Sequence, residues 1–263
     1  MNKKKFKNVL VVLGGTSGER TVSLESGMAC VKALKKKGYK VLTFDPKIKN
    51  FNLINKKSTD VIFNALHGKD GEDGVAQSYF EYLKIPYTHS GVISSFNSMN
   101  KVNSKHIFIE NNIRTPKFFS ISKDYFNKIF IQKKLKNKKI NFPVVVKPIS
   151  EGSSLGVKVC KNKYKLLRSI LFLFKDYNEL MVEEYIGGQE IQVAIINKKP
   201  LGAIELIPKR LFYDYKAKYT KKAKTKHLMP ARLTKKKYNE VLKIAKKTHK
   251  VLKCRGVTRS DFK

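Results

Sequence analysis

The stretch Val9-Leu10-Val11-Val12-Leu13-Gly14-Gly15-Thr16-Ser17-Gly18-Glu19-Arg20 decides the fold. Its five apolar residues show no polar alternation, so they read as a strand buried on both faces, the habit of a parallel sheet. Gly14-Gly15 ends that strand. Leu24, Met28, Val31 and Leu34 then recur at helical spacing, and Gly38 stands where a helix ends on a glycine. Strands over 41–44 and 60–66 and a helix over 77–83 continue the alternation. This β–α–β order predicts an open parallel sheet with helices on its faces for residues 1–97.

Beyond residue 97 the texture changes. The pattern predicts a helix over 98–111, a strand over 117–121 and then a lysine-rich stretch of low information. Strands follow at 144–147, 157–160 and 180–184, with a helix at 166–174. Two strands span 189–207 around a turn at Asn197–Pro200. A polar loop over 211–227 leads to a helix over 234–253, with Val241, Leu242, Ala245, Thr248 and Leu252 inward, and to a strand over 257–262. The segment from 98 to 184 therefore reads as a small α+β unit, and no internal repeat is visible.

Composition bounds the function. The chain has 263 residues, 56 Lys plus Arg against 20 Asp plus Glu, and a formal net charge of +36. At 41 % hydrophobic it can bury a core, which excludes global disorder. No apolar run reaches the roughly 18–20 residues that span a bilayer. The basic start, Met1 to Lys7, runs into a strand and not into a signal-peptide cleavage site. Cys30, Cys160 and Cys254 lie far apart with no Cys-x-x-Cys, so reduced thiols in a cytoplasmic protein are expected.

The charge invites a polyanion partner, but 49 of the 56 basic residues are Lys and only 7 are Arg. Arginine is the residue of forked phosphate and base contacts. Its scarcity, and lysines scattered over the whole chain, favour a lysine-biased surface of AT-rich coding. Weak, salt-sensitive adhesion to polyanions is expected in either case.

Four segments carry chemistry. Gly14 to Arg20 follows a strand and opens a helix, so its N–H groups can face an anion; an ordinary turn explains it equally well. His67-Gly68-Lys69-Asp70-Gly71-Glu72-Asp73-Gly74 follows the next strand at the edge where such sheets bind ligands. Lys147, flanked by Val144 to Val146 and Pro148, precedes the loop Glu151-Gly152-Ser153-Ser154-Leu155-Gly156. A strand-borne lysine and a Gly/Ser loop suit the phosphates of a nucleotide. Glu183-Glu184-Tyr185-Ile186 with Gln189-Glu190 could read an adenine and a ribose, or form a simple hairpin.

Together these segments resemble the D-alanine–D-alanine ligase family of the ATP-grasp superfamily. The resemblance runs from Val9 to Phe262. It is carried by 14–27 and 67–74, by Ile-Pro-Tyr-Thr-His-Ser-Gly at 85–91 and by Met-Asn-Lys at 99–101. It continues in Val-Lys-Pro at 146–148, Glu-Gly-Ser-Ser-Leu-Gly at 151–156, Phe-Tyr-Asp-Tyr-Lys-Ala-Lys-Tyr at 212–219 and Arg-Gly-Val-Thr-Arg-Ser-Asp-Phe at 255–262. It implies a Rossmann-like substrate domain at 1–97, a small ATP-grasp lid at 98–182 and a large, incomplete ATP-grasp part at 183–263.

The resemblance also implies roles. Lys101 and Lys147 would hold ATP phosphates and Lys218 the γ-phosphate. Glu183, Tyr185 and Ile186 would line the adenine pocket, with Glu190 on the ribose. Glu19 would grip the ammonium of the first D-alanine, with Ser153 and Tyr219 completing a hydrogen-bonded set and His67 nearby. Arg259 would stabilise the tetrahedral oxyanion, and Asp261 would ligate Mg²⁺ or Mn²⁺. A cytoplasmic homodimer with no membrane or specific nucleic-acid partner is implied.

The sequence departs from the family at four places, one of them Ser260, which replaces an apolar residue in the last strand. Asn100 replaces an aspartate, and His89 replaces a glycine, so a positive φ there would be strained. The family continues past the Asp-Phe strand with Glu-x-Asn and with Pro-Gly and Ser-Leu segments, whereas Lys263 follows Phe262 directly. The expectation is a C-terminally truncated ligase of reduced or absent activity. A non-catalytic remnant that still binds ATP, and a basic nucleic-acid-binding protein, are the alternatives.

Overall fold

The structure is a computed structural model, and it describes residues 6–208 and 225–263. Two compact units emerge. One runs to Ser98 and takes in Lys253–Thr258; the other comprises the described residues from Met99 to Leu252 with Arg259–Lys263.

The first unit is a parallel sheet of order β2-β1-β3, built from β1 (Asn8–Val12), β2 (Lys40–Phe44) and β3 (Val61–Asn64). The apolar run of β1 is buried on both sides. Val9, Val11 and Leu13 meet Leu24, Val31 and Leu34 of α1 (Arg20–Lys36). Leu10 and Val12 meet Ala76 and Phe80 of α2 (Val75–Tyr82). The period-2 alternation thus explains why no polar residue interrupts the strand.

The predicted helix over 98–111 is two helices, α3 (Val92–Met99) and α4 (Lys101–Glu110). Asn100 breaks them: its side chain accepts hydrogen bonds from the N–H groups of Val102 and Asn103, which caps α4. His89 has φ +70°, so the residue at the family's glycine position does sit in left-handed backbone. Its carbonyl accepts from Arg255 Nε at 2.8 Å.

The second unit holds two antiparallel sheets. One has order β4-β7-β5-β6, from β4 (Phe118–Ser122), β5 (Val144–Pro148), β6 (Lys158–Cys160) and β7 (Glu179–Glu184). Two helices, α5 (Lys128–Lys138) and α6 (Lys163–Leu173), cover one face. Ile131 of α5 and Leu166, Ile170 and Leu173 of α6 pack on Phe119, Ile121, Val144, Val146, Leu180 and Val182. The lysine-rich stretch that the pattern left without an element is therefore helix α5, and Asn127 caps it by accepting from Ile129 N at 2.8 Å.

The other sheet has order β10-β9-β8-β11, from β8 (Glu190–Ile196), β9 (Lys199–Ile207), β10 (Lys226–Leu228) and β11 (Val257–Phe262). Helix α7 (Lys235–Val251) packs Tyr238, Val241, Leu242 and Ala245 against Ile191, Val193, Ile195 and Ala203. Residues 226–228, at the end of the expected polar loop, pair with β9 instead.

Gly27 of α1 tests this packing. A Cβ there would stand 2.6 Å from Leu13 Cβ. Helix propensity alone makes Gly27→Ala stabilising by about 1 kcal/mol. Overpacking costs about 1–3 kcal/mol, and the atom struck belongs to the stem of a strand residue that cannot swing aside. The melting temperature of Gly27→Ala is expected to fall; a rise would show that α1 does not pack this closely.

Candidate active site

In the first unit, the candidate residues leave the carboxyl ends of β1 and β3, the edge where open parallel sheets take ligands. Gly14 (φ +86°) and Gly15 (φ +76°) turn the chain out of β1. Arg20 holds this turn by donating to Gly15 O at 2.8 Å and by a forked pair with Asp45 at 3.1 and 2.7 Å. Glu19 is 5 % exposed. Its carboxylate lies against the loop after β3, because a Cβ on Gly68 would stand 2.7 Å from Glu19 Oε2. Ser17 Oγ donates to His67 O at 2.7 Å, and His67 Nε2 is 3.1 Å from Ser26 Oγ. Glu19 and His67 are thus brought together by two loops that meet over the sheet edge. A cavity of about 260 Å³ opens beside them, lined in part by Gly15, Phe51, His67, Asp70 and Tyr79.

In the second unit, strand alternation sorts the residues. The α5–α6 layer takes Val144, Val146, Leu180 and Val182, so Val145, Lys147, Met181 and Glu183 point to the opposite face. Glu183 pairs in register with Val145 and Phe118. There its carboxylate binds Lys147 Nζ through one oxygen and Lys105 Nζ through the other, the latter at 2.9 Å. Burial pushes Glu183 up, but Lys147 and Lys105 outweigh it and hold the carboxyl below its usual range.

Lys101, at the start of α4, donates to the carbonyls of Ile149 (3.3 Å) and Glu151. Burial first, and then the charge of Lys147, pull Lys101 down to about 8. Ser153 and Ser154 sit in left-handed backbone at φ +49° and +62°. Gly156 lets this loop close on Pro148, whose ring lies 2.7 Å from where a Cβ would be.

The segment 185–189 is not a hairpin. β7 and β8 belong to different sheets, and the segment is the link between them. Tyr185 and Ile186 are each 39 % exposed there. Glu190 pairs with Lys263. Arg259 and Asp261, two apart on β11, bind each other by a forked pair at 2.8 and 3.1 Å. Lys218 and Tyr219 lie outside the described residues.

Known proteins match this arrangement throughout. A family model for the D-ala D-ala ligase C-terminus matches residues 107–263, and one for the D-ala D-ala ligase N-terminus matches residues 44–90. The chain belongs to the D-alanine–D-alanine ligase family. A D-alanine–D-alanine ligase of Pelagibacter ubique is 52 % identical over 259 residues, covering 98 % of this chain and 83 % of that protein. One of Rhizobium meliloti is 40 % identical over 262 residues, covering 98 % and 82 %. The crystal structure of the Bacillus anthracis D-alanine–D-alanine ligase superposes with a TM-score of 0.83 at 35 % identity, over 97 % of this chain and 82 % of that one. The same enzyme complexed with ATP gives 0.82 at 31 % identity, over 97 % and 81 %. The ATP-grasp-like architecture, a parallel-sheet unit followed by antiparallel α+β layers, is thereby shown.

Reading the sequence missed Lys105 in this ligase-family chain. Its ammonium is buried, donates to Thr115 Oγ1 and Pro116 O at 2.9 Å each, and lies 4.9 Å from the centre of the Phe118 ring. A signal was present: Lys101 and Lys105 are four apart, one turn along the same face of α4. Reading the sequence also missed Glu205, 2 % exposed, whose carboxyl Arg232 and Gln189 hold down at about 2.

Removing Lys105 leaves Glu183 buried with one cation instead of two. Lys105→Met is expected to cost about 3–5 kcal/mol, the usual penalty for breaking a buried pair. In a Glu183→Gln background the same change should cost less, by about 1–3 kcal/mol of coupling. Urea denaturation of the four proteins measures both. Additive effects would show that the two groups do not share an interaction.

Proposed function

We propose that this chain joins two D-alanines to D-alanyl-D-alanine at the expense of ATP, through an acyl phosphate, for peptidoglycan precursor synthesis. The observation that carries the reading is the Lys101–Lys147–Glu183 group beside the Ser153 loop, in a chain of this family. The two sheets of the second unit act as the small and large ATP-grasp parts, dividing near residues 182 and 183. Lys101 and Lys147 hold the phosphates of ATP, Lys218 the γ-phosphate, and Glu183, Tyr185, Ile186 and Glu190 the adenosine. Lys147 must release Glu183 to meet a phosphate, and Lys105 remains to neutralise the carboxylate when it does. Glu19, with His67, takes the first D-alanine; Ser153 and Tyr219 orient the attack. Arg259 faces the developing oxyanion, where a fixed positive charge is worth most. The protein works in the cytoplasm as a homodimer.

A divalent cation would neutralise phosphoryl charge in such a reaction. The described residues do not fit it by themselves. Asp261 is engaged by Arg259, and no group of three His, Cys, Asp or Glu able to hold a metal occurs among the described residues. Mg²⁺ wants a near-octahedral oxygen set, which Asp261 alone does not supply.

That engaged carboxylate favours a second reading, ATP binding without turnover. A coupled ADP-release assay separates the two. D-Alanine-dependent ADP formation, with D-alanyl-D-alanine identified by mass, is the expected result. ATP binding with no D-alanine-dependent release would replace the first reading with the second.

The pH dependence follows from Lys101. Its ammonium is already half neutral near pH 8, and only the charged form attracts phosphate. The KM for ATP is expected to rise between about pH 7.5 and about pH 9.5. Lys101→Arg, which stays charged, should flatten that rise. A flat wild-type profile would remove Lys101 from the phosphate site.

A further inference from the structure

The helix layer of the second unit has an outward face that the ligase chemistry does not use. On α6, Tyr164, Arg168, Leu171 and Phe172 are spaced along one face. Tyr164, Leu171 and Phe172 are 73 %, 52 % and 54 % exposed. Next to α5, Tyr125 is 83 % exposed, and Ile129 of α5 is 73 % exposed. The two sets are neighbours, because Phe126 and Phe174 meet edge to face with ring centres 5.6 Å apart. Aliphatic and aromatic side chains are thus exposed on both helices of one layer.

The charge around this patch is predominantly positive, with Asp124 and Asp176 at its margins. Residues 128–139 and 158–175 contain twelve Lys or Arg and no Asp or Glu. Two of these lysines fold over the patch itself: Lys134 Nζ lies 5.0 Å from the centre of the Phe130 ring, and Lys158 Nζ lies 5.6 Å from that of Phe172. Long basic side chains lying along apolar surface are the habit of residues at a lipid–water boundary.

We propose that the outward face of α5 and α6 docks on an anionic lipid bilayer, with Ile129, Leu171 and Phe172 entering the headgroup–acyl boundary and the lysines meeting lipid phosphates. Nucleic acid is disfavoured because Ile129 and Leu171 gain nothing from a phosphate backbone, and eleven of the twelve basic residues are Lys. Docking leaves the ligase site open, because Lys147 and Glu183 face the other side of the same sheet. Hydropathy alone points to no membrane partner because it weighs only spanning segments, and no helix among the described residues is long and apolar enough to cross.

The chain has no tryptophan, so Phe172→Trp gives a single reporter at the centre of the patch. The test uses the full chain and vesicles of phosphatidylcholine with about 30 % phosphatidylglycerol, against phosphatidylcholine alone, at physiological salt. The emission of the introduced indole is expected to shift to the blue and to be quenched by lipids brominated along the acyl chain, with the anionic vesicles only. Ile129→Ser/Leu171→Ser/Phe172→Ser, which changes exposed positions and should keep its circular dichroism, is expected to sediment with those vesicles at least about tenfold less well. An unshifted indole emission on bound vesicles would overturn the proposal. So would equal sedimentation of the triple variant, or a homopolymer RNA that displaces the protein from vesicles and binds the triple variant as tightly, since each marks lysine electrostatics without insertion.

Discussion

Glu183 is the constraint on which the second unit depends. A carboxylate 8 % exposed on a central strand would be expensive without partners. It has two, Lys147 from the neighbouring strand and Lys105 from α4. Those two contacts tie β5, β7 and α4 to one charged group. The arrangement also keeps Lys147 in place without committing its charge permanently. Among the described residues Lys147 pairs with Glu183, whereas Lys105 is held by Glu183, Thr115, Pro116 and the Phe118 ring. Lys105 is therefore the more firmly held of the two.

The same sheet shows how strand alternation divides labour. Residues 144, 146, 180 and 182 give the α5–α6 layer its core. Residues 145, 147, 181 and 183 face the other way, and Lys147 and Glu183 pair there. Shifting either strand by one residue would put Lys147 or Glu183 into the apolar layer, so burial of one face fixes the register that places the chemistry on the other. The first unit uses a different device. Both faces of β1 are buried, so chemistry is displaced to the sheet edge, where Glu19 and the His67-Gly68 loop meet.

What the sequence made legible follows from these devices. The unbroken run at 9–13 and the helical spacing after it were enough to place the parallel sheet, because their periodicities are unambiguous. The strand carrying Lys147 was equally clear. Helix α5 was not, because six lysines over 128–139 mask a pattern that rests on Ile131 and Leu135, and its start is marked only by the Asn127 cap. The break at Asn100 was hidden for a related reason: a cap is one hydrogen-bonding side chain, and periodicity runs through it. Lys105 escaped because a buried lysine and a surface lysine look alike in a chain with 49 of them. Lys218 and Tyr219 fall outside the described residues, and their expected roles stand on resemblance alone.

The net charge of +36 therefore divides into populations with different physics. Lys105 is buried and Lys101 half-buried, and desolvation pulls both below the ordinary lysine range. Their value lies in scarcity of water, where each contact with an anion is strong and geometrically fixed. The lysines of α5 and α6 are solvated, so each contributes weakly and is screened by salt. Such charges act only in number, and only against an extended anionic surface. Their concentration around exposed Ile129, Leu171 and Phe172 distinguishes that layer from a merely lysine-rich surface. A solvated charge needs no apolar neighbour, whereas insertion into a bilayer does.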